Sequence, residues 1–142
     1  MKKVIFVSVL ATLMFAGCSK NKNMLKDTTW VVESMKMSES SDYLYSNDYC
    51  IYGELFLKFY GTEIFSLQSF PCCIGGKLNV GNSKIDFKDK SSSLARDYCD
   101  PFTEDCADLL INKITHYETD GQILVLRGKN GAEMNCVNYI KQ

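Results

Sequence analysis

Cysteine is the residue type with the most chemistry to offer in this chain, which carries seven: Cys18, Cys50, Cys72, Cys73, Cys99, Cys106 and Cys136. Thiolates hold zinc, exchange disulfides and attack electrophiles. The Cys-x-x-Cys spacing of structural zinc sites is absent, however, and so are the Cys-x-x-Cys redox pair and the Cys-x-x-Cys-His haem attachment. No metal and no cofactor is expected. His116 is the only histidine, and histidine is the side chain whose ordinary pKa lies near neutrality. It could serve as a general base with Asp86, Asp97 or Asp108, but no spacing sets a carboxylate beside it. It follows the end of a predicted helix, where a cation is simply favourable. Ser91-Ser92-Ser93 lacks both the Gly-x-Ser-x-Gly elbow and a Ser-x-x-Lys spacing. Gly75-Gly76 lacks the lysine of a phosphate loop and reads as a tight turn after the cysteine pair. No catalytic residue is assigned, and the expected function is non-enzymatic.

The first cysteine stands apart from the rest. Met1–Lys3 is short and basic, and the apolar run Val4–Gly17 after it is 14 residues long. That is short of the ~20 needed for a permanent spanning helix, but it suits the apolar region of a secretory signal peptide. The run ends in Phe15-Ala16-Gly17-Cys18, which resembles the lipobox of bacterial lipoproteins, with Phe15 where leucine is commoner. The resemblance implies a diacylglycerol on the Cys18 thiol, cleavage after Gly17 and acylation of the new amine. Two or more acyl chains hold a protein stably at a bilayer, where one does not. Ser19 follows Cys18 where aspartate would argue for inner-membrane retention, so the expected location is the bacterial cell envelope, lipid-anchored, on the outer membrane and facing the periplasm. Residues 18–24 then read as the lipidated cysteine and a polar tether.

In an exported domain the remaining even number of cysteines points to disulfides. Adjacent Cys72 and Cys73 are poor partners for each other, and consecutive strand residues face opposite ways. The preferred scheme links this pair to Cys99 and Cys50 and leaves Cys106 with Cys136.

With a formal charge of −1 and a pI near 5.8, the chain lacks the basic balance of nucleic-acid binders. Nucleic acid is not expected as a partner. Residues 37–53 are rich in Ser, Asp and Tyr, show no strand or helix pattern, and read as a long surface loop pinned by Cys50. Tyr43, Tyr45, Tyr49 and Tyr52 on that loop form the candidate binding surface, because rigid aromatic rings anchor partners.

The elements that must position these residues are mostly strands. Thr29–Lys36 alternates as a first strand, and Leu55–Tyr60 places Leu55, Leu57 and Phe59 on one face. Gly61-Thr62 suits a two-residue turn into a partner strand over 63–70. Lys77–Val80 and Lys84–Lys88 flank a Gly81-Asn82-Ser83 turn. Asp120-Gly121 and Asn130-Gly131 separate three further apolar runs, the strongest short hairpin signals available. One helix is predicted over Pro101–Lys113, capped by Asp100 and buried through Phe102, Cys106, Leu109 and Leu110.

The order of parts resembles the META/HslJ-like domain. Leu25-Lys-Asp-Thr-Thr-Trp30 is similar to that family's opening Leu-x-x-Thr-x-Trp strand. Pro71–Gly76 lies where the family has a cysteine-containing turn, with Cys73 or Ile74 in place of the commoner asparagine. Ser91–Cys99, the helix through Glu104–Leu110, and the closing Tyr117, Gly121, Leu124, Leu126 and Gly131 follow in the family's order. The resemblance covers roughly Leu25–Ile140. It implies a mainly β (α+β) domain over residues 25–142, a small, partly closed antiparallel sheet or barrel with one helix packed against it. It also implies an envelope role in stress tolerance or partner binding, without a catalytic residue. The alternative is a lipocalin-like barrel binding a small apolar ligand. Expected partners are the membrane, through lipid on Cys18, and a protein or small ligand.

Overall fold

In β1 (Thr29–Lys36) Trp30 and Val32 turn inward and are fully buried, while Val31 and Glu33 face out. This alternation of apolar and polar residues is what makes the segment a strand with one wet face. The computed structural model describes residues 23–50, 53–92 and 99–140, so residues 1–22, with Cys18, lie outside the description, as do Tyr52 and Asp97. The strands after β1 are β2 (Leu44–Tyr45), β3 (Phe56–Tyr60), β4 (Ile64–Ser69), β5 (Cys72–Val80), β6 (Ile85–Ser92), β7 (Ile114–Thr119), β8 (Ile123–Gly128) and β9 (Glu133–Asn138). A single turn, α1 (Ser46–Tyr49), follows β2, and the helix α2 (Pro101–Asn112) precedes β7.

All the pairings are antiparallel, in the order β6-β5-β4-β3-β1-β9-β8-β7. β1 is the central strand. Its first half pairs with β3, its second half takes the short β2, and β9 runs along its other edge. The sheet curls until β6 and β7 meet at one end. There Lys84 bridges to His116, the Tyr117 N–H donates to the Ser83 carbonyl at 2.9 Å, and the Tyr117 hydroxyl donates to the Gly81 carbonyl at 2.6 Å. Further along, the two edges stay unpaired. α2 packs against β6, β4 and β7 beside this seam, and Lys90 Nζ reaches Asp108 on α2 at 2.7 Å. The result is a nearly closed antiparallel barrel with one unsealed seam and a helix against it: the antiparallel strands and single helix are those the residue pattern predicts, and the partial closure is the one expected from the resemblance.

The interior is filled by side chains. Trp30, Met35, Leu57, Phe59, Phe65, Leu67, Phe87, Leu109, Leu110, Tyr117, Leu124, Leu126 and Met134 belong to one buried cluster. The Phe65 and Phe87 rings meet edge to face at 4.9 Å. Burying each such side chain contributes about 1.5–3 kcal/mol. α2 starts as its sequence dictates: the Asp100 carboxylate accepts from the Thr103 N–H at 2.7 Å, and Pro101 fills the first turn.

Several local expectations need correction. The β3–β4 connection spans 61–63, with Tyr60 opposite Ile64, so it is a three-residue loop; Gly61 still supplies the positive φ, +60°. Gly75-Gly76 is not a turn. It lies inside β5, which already starts at Cys72 because Phe70-Pro71 makes the reversal. Gly76 faces Phe65 across the β4–β5 pair, and the Phe65 ring lies over it: a Cβ there would come within 2.7 Å of that ring and 2.6 Å of the Lys88 carbonyl oxygen. Glycine is required by close approach. Over residues 37–50 the expected surface loop carries regular structure, since Leu44 and Tyr45 pair with Met35 and Ser34 before α1 turns back.

Candidate functional site

Among the described residues one disulfide is formed. Cys72 and Cys99 are joined, one of the expected pairings. Cys72 is the inward-facing member of the pair in β5, while Cys73 is only half-buried on the other face. Cys50 is half-buried and unbridged, so the expected link between Cys50 and Cys73 is not made. Cys106 on α2 and Cys136 on β9 are buried thiols, and the expected bridge between them is absent. Burial pushes both thiols well up, with each other's potential charge adding to it for Cys106. Protonated at neutral pH, they are weak nucleophiles and serve as small apolar core residues. Burial and then the Asp100 carboxylate also raise the Cys50 thiol.

His116 is exposed on β7 and hydrogen-bonds through Nδ1 to the Thr115 hydroxyl at 2.8 Å, with no carboxylate in ion-pair range among the described residues. Asp86 lies on β6 beside Lys88, and Asp108 is held by Lys90. The catalytic pairings considered for His116 do not assemble among these residues. No group of three His, Cys, Asp or Glu side chains gathers to hold a metal among the described residues.

What does assemble is a groove of about 720 Å³ on the outer face of β1, β9 and β8. Register orders its floor into three rows. Val31, Val137 and Ile123 stand side by side, an apolar row. Next come Ser34, Asn135 and Val125, and then Lys36, Glu133 and Arg127. Rows two residues apart on a strand rising about 3.4 Å per residue make a floor about 14 Å long. It grades from apolar to charged. A β-bulge between Val32 and Ser34 places Glu33 and Ser34 on the same outer face, so Glu33 projects beside the groove as an extra, exposed side chain. The β2–α1 segment walls the groove with Tyr43, Tyr45, Ser46 and Asn47, and Glu54 lies on its rim.

The charged end is a connected network. The Tyr43 hydroxyl donates to Glu133 Oε1 at 2.7 Å, and Asn135 Nδ2 donates to the same oxygen at 3.0 Å and to the Ser34 hydroxyl at 3.2 Å. Arg127 contacts Glu118 at 2.8 Å and Glu133 Oε2 at 3.6 Å. Lys36 Nζ lies 5.0 Å from the centre of the Tyr43 ring, a cation–π contact. Burial works against ionising Glu133, but the hydrogen bonds from Tyr43 and Asn135 and the charges of Arg127 and Lys36 outweigh it, and its carboxyl is held below the usual range. Burial, helped by the Glu133 hydrogen bond and charge, pushes the Tyr43 phenol up to about 12. Both groups therefore keep their neutral-pH forms, carboxylate and phenol, across a wide range. The network fixes shape and does not trade protons.

Of the four tyrosines singled out from the sequence, Tyr43 and Tyr45 line this groove, their rings 6.5 Å apart. Tyr49 instead stacks on Phe102 at 5.5 Å, at the start of α2. Glu33, Glu133, Arg127 and the Val31–Val137–Ile123 row escaped sequence reading, because only strand register brings them together. The polar residues of the alternating strands are the one signal of this face that the sequence carries.

No protein-family model matches the chain, and no curated protein matches it in sequence. Two solved structures share its fold. One is the NMR structure of a protein from Burkholderia xenovorans, with a TM-score of 0.64 at 15% identity over 88% of this chain and 90% of that one. The other is the crystal structure of a DUF4847 family protein from Bacteroides vulgatus, with a TM-score of 0.61 at 11% identity over 85% of this chain and 99% of that one. At these identities the likeness concerns the fold: this chain is similar to both in its barrel and helix.

Proposed function

We propose that this protein is a non-enzymatic lipoprotein of the bacterial envelope, anchored through Cys18, that binds a partner protein in the groove over β1, β9 and β8. The groove carries the reading. Its volume of about 720 Å³ lies within the ~300–1,000 Å³ common for binding pockets. It has an apolar row at one end, fixed polar groups at the other and two tyrosines along its wall. The META/HslJ-like order of elements belongs to the same proposal, as does outer-membrane attachment on the periplasmic side. A photo-crosslinking residue in place of Tyr45, in living cells, tests it. A discrete protein adduct that disappears when Val137→Asp is added supports a partner site. A pattern identical to that from a crosslinker at Lys77, on β5 and outside the groove, overturns it. Cys18→Ser is expected to release the chain from the membrane fraction.

The lipocalin-like carrier is the second reading, compatible with a barrel and favoured by the apolar row of Val31, Val137 and Ile123. The buried cluster fills the barrel with side chains, so a small apolar ligand would lie in the groove. A native mass spectrum of the protein from its own cells separates the two: a copurifying small molecule supports a carrier, and a lipidated chain with one disulfide and nothing bound supports partner binding.

A further inference from the structure

Charge is distributed unevenly around the groove. Glu33, Glu54 and Glu133 line it against the guanidinium of Arg127, and the second cation of the charged row, Lys36, lies beside Glu133 and over the Tyr43 ring. Arg127 is already engaged by Glu118 and Glu133, so it offers little to an incoming anion. Glu133 is likewise occupied by Tyr43, Asn135 and Arg127. Glu33 and Glu54 differ: both are exposed, and neither has a cation within ion-pair distance among the described residues. Glu33 owes its place to the bulge between Val32 and Ser34. Bulges recur beside functional sites because they re-aim a side chain, and here the re-aimed side chain is an uncompensated carboxylate next to an apolar row.

The geometry points to a basic polypeptide segment as the occupant: an extended stretch in which lysine or arginine alternates with β-branched or other apolar residues. This rests on the groove being the binding surface proposed above. The apolar side chains of such a segment would lie on Val31, Val137 and Ile123, and its cations would reach Glu33 and Glu54. The floor, about 14 Å long, takes about four residues of extended chain, which a single small cation would leave mostly empty. Anionic lipid headgroups and nucleic acid meet the wrong sign of field.

The test is an amide-resolved NMR titration of the full chain in detergent with three capped hexapeptides: alternating valine–lysine, valine–glutamate and valine–glutamine. The valine–lysine peptide is expected to shift the amides of Val31, Glu33, Ile123, Asn135 and Val137 and to bind more weakly as salt rises. Its Kd is expected to rise about fivefold in the Glu33→Gln, Glu54→Gln double variant, as two exposed ion pairs allow, with the urea midpoint unchanged. Equal binding of the three peptides, an unchanged Kd in the double variant, or spermine binding as tightly as the valine–lysine peptide each overturns the assignment of a basic segment. Failure of the valine–lysine peptide to bind also overturns it. The crosslink at Tyr45 decides separately whether the groove is a binding surface at all.

Discussion

Tyr43 and Glu133 are 90 positions apart in sequence, and one hydrogen bond of 2.7 Å joins the groove wall to its floor. Tyr43→Phe removes the donor and leaves the ring, so the expected loss is about 1 kcal/mol for a partly exposed bond to a charged acceptor, read from urea unfolding. The same pair shapes the response to pH. The phenols of Tyr43 and Tyr117 are both raised to about 12 in the folded chain, against about 10 when unfolded. Between those values the unfolded chain sheds protons that the folded chain keeps. Stability should therefore fall as pH rises from about 10 to about 12, and Tyr43→Phe should flatten that fall; phenolate absorbance followed alongside unfolding checks both. Glu133 acts at the other end. Its folded carboxyl ionises more readily than the unfolded one, so its contribution is complete above the unfolded value of about 4.3 and is lost as pH falls through the lower folded value. Acid unfolding of Glu133→Gln should lack this component.

The separate elements respond to different local rules. Asp100→Ala strips the cap from α2 and should cost about 1 kcal/mol. Gly76→Ala forces a methyl against the Phe65 ring and the Lys88 carbonyl, for which overpacking predicts about 1–3 kcal/mol; thermal unfolding of the two variants measures both. These two residues also mark where sequence reading works and where it stops. The Asp100-Pro101 start of α2, the alternation in β1 and β3, and the Asn130-Gly131 turn, with φ of 59° and 79°, are written within a few neighbouring residues, and all were legible. Gly75-Gly76 was read as a turn because glycine pairs usually are. The reason they lie in a strand is a ring on β4, which nothing near them in sequence announces. The groove failed to show for the same reason. Its rows join β1 to β9 across about a hundred residues, and the bulge at Glu33 breaks the very alternation by which strand faces are read. The wall was half legible: Tyr43 and Tyr45 were singled out as a surface, though not what they faced.

At the level of the whole molecule, the Cys72–Cys99 bridge joins the start of β5 to the entry of α2 across 27 residues, enclosing β5 and β6. Removing it with Cys72→Ser, Cys99→Ser should destabilise the fold by about 3 kcal/mol if chain entropy governs, measured by denaturant unfolding without reductant. Thiol titration of the unfolded chain, before and after reduction, should differ by two groups. The barrel is held otherwise by strand pairing, and its order has a consequence for how the chain comes into being. A polypeptide is made, and threaded through any membrane, from its N-terminus. The hairpins from β3 to β6 can zip up as they emerge, each strand meeting the one made just before it. β1 cannot: its long edge belongs to β9, the last strand to appear. Trp30, Val32 and Met35 wait with one flank open until almost the entire chain has been delivered. β1 is thus completed only once β9 has been made, and β9 is the latch of the finished barrel.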